Sequence, residues 1–342
     1  MSTQADQGSS FSLLSEEGRQ HFRLLELPPE LLRLVVSERT ILHFKSGSKS
    51  SEAGSNSEAV LCTPDKTFNI RQVNTSNSVY ICQPTSHNDD DENPQSGLQA
   101  IAQSSWTLEP SEAALFPSAA HHLKAALPTY SSTGTFQSKE APTSQQQIFD
   151  DIPLSQAECE AAWRDLSCFY MLEPWGYFLP TPSAKVQVWR SILNSAVHFG
   201  VDKPGRFSAH EVERIFDRNE EDWPSELGHA MLASVCDHEG MLDPDKWVGA
   251  VGLDLLAVAG TRGLPASELL KKWKDTLPEQ WRSAAKVEAL PRSEYTLSDD
   301  RKMITLAGAG SGVASAPAES KSTLGAKRKW HEKFRESKKA TK

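Results

Sequence analysis

Residues 22–44 read FRLLELPPELLRLVVSERTILHF, and residues 59–82 read AVLCTPDKTFNIRQVNTSNSVYIC. Their reading decides the N-terminal fold. The apolar run Leu24, Leu25 and Leu27 stops at Pro28-Pro29. Prolines suit the first turn of a helix, where the N–H they lack has no intrahelical acceptor anyway. Glu30 in that turn favours the helix dipole, and Leu31, Leu32, Leu34, Val35 and Val36 fill a short helix. Four strand-like runs follow: Thr40–Phe44, Ala59–Thr63, Lys66–Val73 and Asn77–Cys82. Phe68 and Ile70 alternate with Asn69 and Arg71, and Val79 and Ile81 alternate with Tyr80. Pro64-Asp65 and Asn74–Asn77 supply turn chemistry between the runs. Ser105–Leu108 reads as a further strand and Pro117–Leu127 as a short helix.

Working outward, Ser46–Glu58 and Gln83–Gly97 have loop composition. The second holds the acidic run Asp89–Glu92, which lacks the spaced ligands and glycine of a calcium loop. Short strands with polar inserts make a β-barrel-like domain over residues 11–130 whose open edges call for a partner strand. Residues 1–10 are polar and read as disordered, and 131–149 has linker composition.

The C-terminal half changes period. Ser155 and Glu158 form a capping box with a Leu154–Cys159 staple, and Ser208–Glu211 repeats the device. Helices follow over Lys185–Phe199, over Glu226–Cys236, from Asp243-Pro244 and from Pro265. Trp163, Trp189, Trp247 and Trp273 sit at helical spacing among aliphatic residues, which is a core pattern, while Trp281 and Trp330 lie in more polar surroundings. Tyr295–Leu297 and Arg301–Leu306 make a closing hairpin around Ser298-Asp299-Asp300. Helical sets ending in a hairpin fit tandem winged-helix modules at 150–205, 206–260 and 261–306, giving an α+β chain.

In the last module, Leu269, Leu270, Trp273 and Leu277 mark a buried stripe. Lys271, Lys272 and Lys274 face outward, and Arg301 and Lys302 sit on the hairpin wing with Met303 and Leu306 turned in. This basic surface is the candidate DNA contact, weak and with little sequence preference, because no Asn, Gln or Arg cluster suits bidentate base reading.

Composition sets the outer limits. The chain has 342 residues, 38% hydrophobic, with mean hydropathy −0.48 and net charge −9. Residues 321–342 carry nine Lys/Arg against Glu332 and Glu336, a tail of +7 on a remainder of −16. Lys327, Arg328, Lys329, Lys338 and Lys339 resemble a bipartite nuclear import signal within a low-complexity tail, 307–342. No apolar run approaches bilayer length, MSTQADQGSS lacks the build of a secretory signal, and the five cysteines show neither C-x-x-C nor zinc-ligand spacing. Gly308, Gly310 and Gly312 lack the Lys-Ser/Thr of a phosphate loop, and His121-His122 are adjacent residues on different helix faces. No catalytic motif stands out, so no enzymatic activity, cofactor or metal is expected.

The order LLELPPELL followed by AVLCTPDKTFNIRQVNTSNS resembles the Dcc-type sister chromatid cohesion subunit of the Ctf-type alternative clamp loader, a replication factor C-like complex. A weaker likeness runs through Leu264–Leu306, on SELLKKWKDTLPEQW and the hairpin. The resemblance implies a non-catalytic subunit that pairs with a small Ctf-type subunit. Together they would hold the C-terminal end of the large clamp-loader subunit in a joint barrel. It implies contact with DNA and polymerase epsilon, an indirect role in PCNA loading, and a nuclear location. The candidate partner-binding residues are Phe68, Ile70, Arg71, Val79 and Ile81. Two other classes stay open at this point: a free winged-helix DNA-binding or transcription factor, and an enzyme without a recognisable motif.

Overall fold

The computed structural model describes residues 11–13, 22–46, 59–84, 98–112, 118–132, 144–198, 207–208, 223–237 and 241–307. The chain is mixed α+β and forms two compact units. The first takes in Met1–Ala184 and Phe216–Cys236, the second Lys185–Ile215 and Asp237–Lys342. The sheets are mostly antiparallel, and none of those described closes into a barrel.

In the first unit, strands β1 (Phe11–Leu13), β2 (His43–Ser46), β3 (Ala59–Cys62), β4 (Thr67–Pro84) and β5 (Leu98–Glu112) form one open sheet in the order β1-β5-β4-β3-β2. Helix α1 (Pro29–Ser37) lies on one face. Its Leu31 is buried with Leu61 and Phe68, and Leu27, Leu34, Leu42 and Ile70 pack around them. Helices α3 (Gln145–Asp150) and α4 (Gln156–Asp165) meet the opposite face, where the Lys45 ammonium donates to the Phe149 and Leu154 carbonyls at 2.9 Å each. Burial on both faces explains why β3 reads AVLC without alternation.

Three strand readings change. The second strand begins at His43 rather than Thr40, and the Ser105–Leu108 strand is the middle of the longer β5. No turn interrupts Asn74–Asn77: the third and fourth runs are one 18-residue strand. The extra residues are absorbed as a register shift between Asn74 and Val79, a bulge that keeps the pairing with β5 on either side. Turn-forming residues allow a reversal, but the long complementary β5 offers a continuous ladder and wins. The inserts 47–58 and 85–97 lie outside the described residues, as do residues 1–10, Gly308 to Gly312, Trp330 and the tail.

Helix α2 (Ala119–Ala126), strand β6 (Thr129–Tyr130), α3, α4 and the hairpin β7 (Phe169–Leu172) and β8 (Trp175–Pro180) complete this unit with α6 (Ser225–Val235). The capping box forms as read: Ser155 Oγ accepts from the Glu158 N–H, and the Glu158 carboxylate accepts from the Ser155 N–H. Leu154 and Cys159 share a core with Ala119, Leu123, Ile148 and Phe149.

The second unit holds most of α5 (Pro182–His198), then β9 (Phe207–Ser208), β10 (Met241–Leu242), α7 (Pro244–Val258), β11 (Leu264–Pro265), α8 (Ala266–Thr276), β12 (Tyr295–Leu297) and β13 (Met303–Leu306). The second predicted capping box lies outside the described residues beyond Ser208. Asp243 caps α7 by accepting from the Asp245 and Lys246 N–H groups. Trp189, Trp247 and Trp273 are fully buried, Trp281 nearly so, and Trp163 in the first unit is partly buried. Gly252 lets α7 and α8 approach: a Cβ there would lie 2.5 Å from the Trp273 ring, whose Nε1 donates to the Val248 carbonyl at 2.9 Å. Along the chain one order recurs three times among the described elements: helix, two-residue strand, helix, returning strand. It runs α2–β6–α3/α4–β7/β8, then α5–β9–α6–β10, then α7–β11–α8–β12/β13, with β6 paired to β8, β9 to β10 and β11 to β13.

A partly buried ion pair lies in the second unit. Trp189 Nε1 donates to Asp254 Oδ2 at 2.8 Å, and Lys185 Nζ lies 3.7 Å from Oδ1. Burial raises the Asp254 pKa, while Lys185 and Trp189 draw it down. A raised carboxyl pKa contributes stability that is full below the unfolded pKa and is lost as pH rises through the folded one. Lys185→Met should raise that pKa further and destabilise by about 3–5 kcal/mol at neutral pH, with a smaller loss in acid. Adding Asp254→Asn should remove the extra pH dependence. Urea unfolding at pH 5 and pH 8 checks both.

The thiols give a second test. Burial pushes Cys159 up to about 11 and also raises Cys62, whereas Cys82 is exposed on β4. Thiolate is the reactive form, so Cys82 should be alkylated in the native chain while Cys62, Cys159 and Cys168 wait for unfolding. Time-resolved mass spectrometry of alkylation reads this directly.

Candidate nucleic-acid and partner surfaces

The predicted DNA residues lie around α8 and the terminal hairpin. Leu269, Trp273 and Leu277 fill the core and Leu270 is partly buried, so Lys271, Lys272 and Lys274 are turned out and exposed. The Ala266 N–H donates to the Lys302 carbonyl at 2.8 Å, which ties the start of α8 to the hairpin turn. Rising 1.5 Å per residue, the helix carries its lysines about 10 Å from that end. The structure therefore gathers the five basic residues on one part of this unit.

The turn is built by its acids. Ser298 Oγ donates to Asp300 Oδ1 at 2.6 Å and accepts from the Met303 N–H at 3.0 Å, while the Lys302 N–H donates to Asp300 Oδ1 at 3.1 Å. The Ser298 hydroxyl and then the Lys302 N–H hold the Asp300 carboxyl below the usual carboxylate range. Arg301 takes a left-handed conformation, φ 55°. Two of the five cations have carboxylate neighbours: Lys272 Nζ lies 2.8 Å from Glu268 and Lys302 Nζ 3.8 Å from Asp300. These exposed pairs are weak and exchangeable. The Met303 expectation is reversed. Met303 is exposed and Ile304 is fully buried, because β13 pairs Ile304 with both Leu264 and Leu297 and period two then sends Met303 outward.

The predicted partner residues divide. Phe68 and Ile70 face α1 and belong to this chain's own core. Arg71 is exposed and its Nη2 donates to Glu109 Oε2 at 2.6 Å across the β4–β5 ladder. Val79 is exposed and Ile81 partly so, both further along β4. Strand β3 pairs only with Thr67–Asn69, so at Ile70–Val73 and Ile81–Pro84 no described strand lies on the second side of β4. Exposed apolar side chains also occur at Leu32 and Val36 on α1, at Ile41 in the connection after it and at Phe44 on the edge strand β2.

One surface escaped the sequence reading. On the β7–β8 hairpin Leu172 is 67% exposed and Trp175 47%, and rings run inward from the tip: Trp175 to Tyr170 at 6.3 Å, Tyr170 to Tyr177 at 5.2 Å, Tyr177 to Trp163 at 5.7 Å. The signal was present, since FYMLEPWGYF lacks the polar alternation of a solvated hairpin face. The basic tail residues Lys327, Arg328, Lys329, Lys338 and Lys339 lie outside the described residues.

Among the described residues no group of His, Cys, Asp or Glu is placed to hold a metal, and no helix is long and apolar enough to cross a membrane. A search among curated proteins finds no match. The family model described as sister chromatid cohesion protein Dcc1 matches residues 22–308, from the segment that precedes α1 through the terminal hairpin. The match covers most of the chain and includes both candidate surfaces, and the chain belongs to this family of sister chromatid cohesion proteins.

Proposed function

We propose that the chain is a non-catalytic assembly subunit of an alternative, replication factor C-like clamp loader. In this reading the N-terminal sheet is completed by a small Ctf-type subunit and the C-terminal end of the large Ctf-type subunit. The C-terminal half links the complex to DNA and to polymerase epsilon, supports PCNA loading and works in the nucleus. The observation that carries it, beside the family, is the β4 edge. Among the described residues no strand pairs with the second side of β4 at Ile70–Val73 and Ile81–Pro84, and such an edge is the template that strand addition uses and one that invites aggregation when left open.

The thrice-repeated order of helix, short strand, helix and returning strand supports the winged-helix reading of the C-terminal half. The lysines of α8 and the basic hairpin turn suit phosphate contact. The exposed Trp175 and Leu172 suit a protein, since exposed aromatic and aliphatic anchors fill apolar pockets. That hairpin is assigned to the polymerase side.

Val79→Asp tests the edge more sharply than a change at Phe68. Asp at Phe68 would bury a charge beneath α1 and unfold the sheet whatever the partner does. Val79 is exposed, so its substitution should leave the chain's melting unchanged yet abolish co-purification with the small subunit. Intact co-purification would overturn the assignment of this edge.

For DNA, titration of the full chain against unrelated duplexes at several salt concentrations should show a linear fall of log K with log salt. Replacing Lys271, Lys272, Arg301 and Lys302 by Glu should flatten the slope by about 0.9 for each phosphate no longer neutralised and weaken all sequences alike. An unchanged slope places the DNA contact elsewhere.

A further inference from the structure

The terminal hairpin carries a hydroxyl that its basic function leaves unused. Thr296 is exposed on β12, the outer strand in the order β11-β13-β12. Its Oγ1 lies 2.6 Å from Thr305 Oγ1 across the ladder, an exposed contact whose loss disturbs nothing in the core. Thr305 and Ser298 are partly buried, and Ser298 is committed to the turn through Asp300 and Met303. Two exposed carboxylates, Asp299 and Asp300, follow Thr296 three and four residues downstream. An accessible threonine on an edge strand, with acids at those offsets, is the pattern a kinase with a basic substrate groove recognises.

We propose that Thr296 is a phosphorylation site for an acid-directed protein kinase, and that its phosphate weakens the nucleic-acid contact of the hairpin. The second half rests on the DNA reading above. In the transfer the Thr296 oxygen attacks the γ-phosphorus of ATP held by the kinase. The new P–O bond forms as the bond to the β-phosphate oxygen breaks, ADP leaves, and the hydroxyl proton passes to the kinase's base. The product adds roughly −1.5 to −2 charge at neutral pH. Thr305 stands three residues from Lys302 on the paired strand, so the phosphate sits about 10 Å from the turn's cations. That is about one Debye length at 0.1 M salt, near enough to oppose a DNA phosphate approaching Arg301 and Lys302.

The test treats the full chain with an acid-directed kinase and ATP and maps phosphate by mass spectrometry. Phosphate should appear on Thr296, vanish in Thr296→Ala, and form about tenfold more slowly when Asp299 and Asp300 are both Asn. Phosphate absent from Thr296, or indifferent to the two acids, overturns the site. Phosphorylated chain should then bind duplex DNA about tenfold more weakly, with a salt slope lower by about 0.9 for each DNA phosphate released. Equal binding by the two forms, while the Lys271, Lys272, Arg301 and Lys302 to Glu variant binds weakly, overturns the regulation alone. Unchanged binding by that variant as well overturns the DNA reading and the regulation with it, and leaves the mapped site standing.

Discussion

The hydroxyl of Thr67 joins the sheet to the helices of the first unit. It donates to Glu158 Oε2 at 2.5 Å and accepts from the Ser155 N–H at 2.8 Å, while Ser155 Oγ donates to the same carboxylate oxygen at 2.6 Å. Ser155 and Glu158 are the capping box of α4, so a residue on β4 has entered the cap of a helix ninety residues away. The Ala157 N–H reaches the Pro64 carbonyl at 3.0 Å, and the Lys45 ammonium closes the same region from β2. Ser155 is fully buried, so its N–H left without these acceptors would carry a desolvation penalty of about 1–3 kcal/mol. Sheet and helix therefore specify each other. The covered faces of β2, β3 and the start of β4 follow from this junction, and so does the contrast with the uncovered ribbon beyond.

That contrast shows what a sequence discloses. Caps, apolar stripes and prolines at helix starts act within a turn or two, and these readings match α1, α4, α5, α6, α7 and α8, down to the Ser155–Glu158 box, whereas α3 falls largely in the stretch 131–149 that reads as linker. Trp189, Trp247 and Trp273 were legible for the same reason, whereas Trp281, which reads as lying in more polar surroundings, is buried as well. What the sequence hid was set by distant partners. Asn74–Asn77 has the chemistry of a turn and still makes no reversal: β4 bulges there and resumes its pairing with β5 at Val79. Met303 and Ile304 are both apolar, and only the pairing of β13 with β11 and β12 decides which faces the core. Phe68 and Ile70 alternate as a partner-binding face should, yet α1 of the same chain occupies that face.

The two candidate surfaces differ in chemistry. At the N-terminal sheet the described strands leave part of β4 without a second neighbour and apolar side chains exposed, which suits contact with protein. At α8 and the terminal hairpin the exposed groups are cations whose carboxylate neighbours are loosely held, which suits exchange with phosphate.

The packing of Gly252 beneath Trp273 constrains the history open to this sequence. With 2.5–2.8 Å between a new Cβ and the indole, no side chain can appear at 252 while the ring keeps its place. The ring is anchored by its bond to the Val248 carbonyl, so it has little freedom to move aside. Change at the two positions is therefore ordered. The indole must first give way to something smaller, which opens a void beside α7, and only then does a larger residue at 252 become a repair. Descendants of this chain that depart from glycine at 252 will have passed through a looser ancestor, and the pair will vary together or hardly at all.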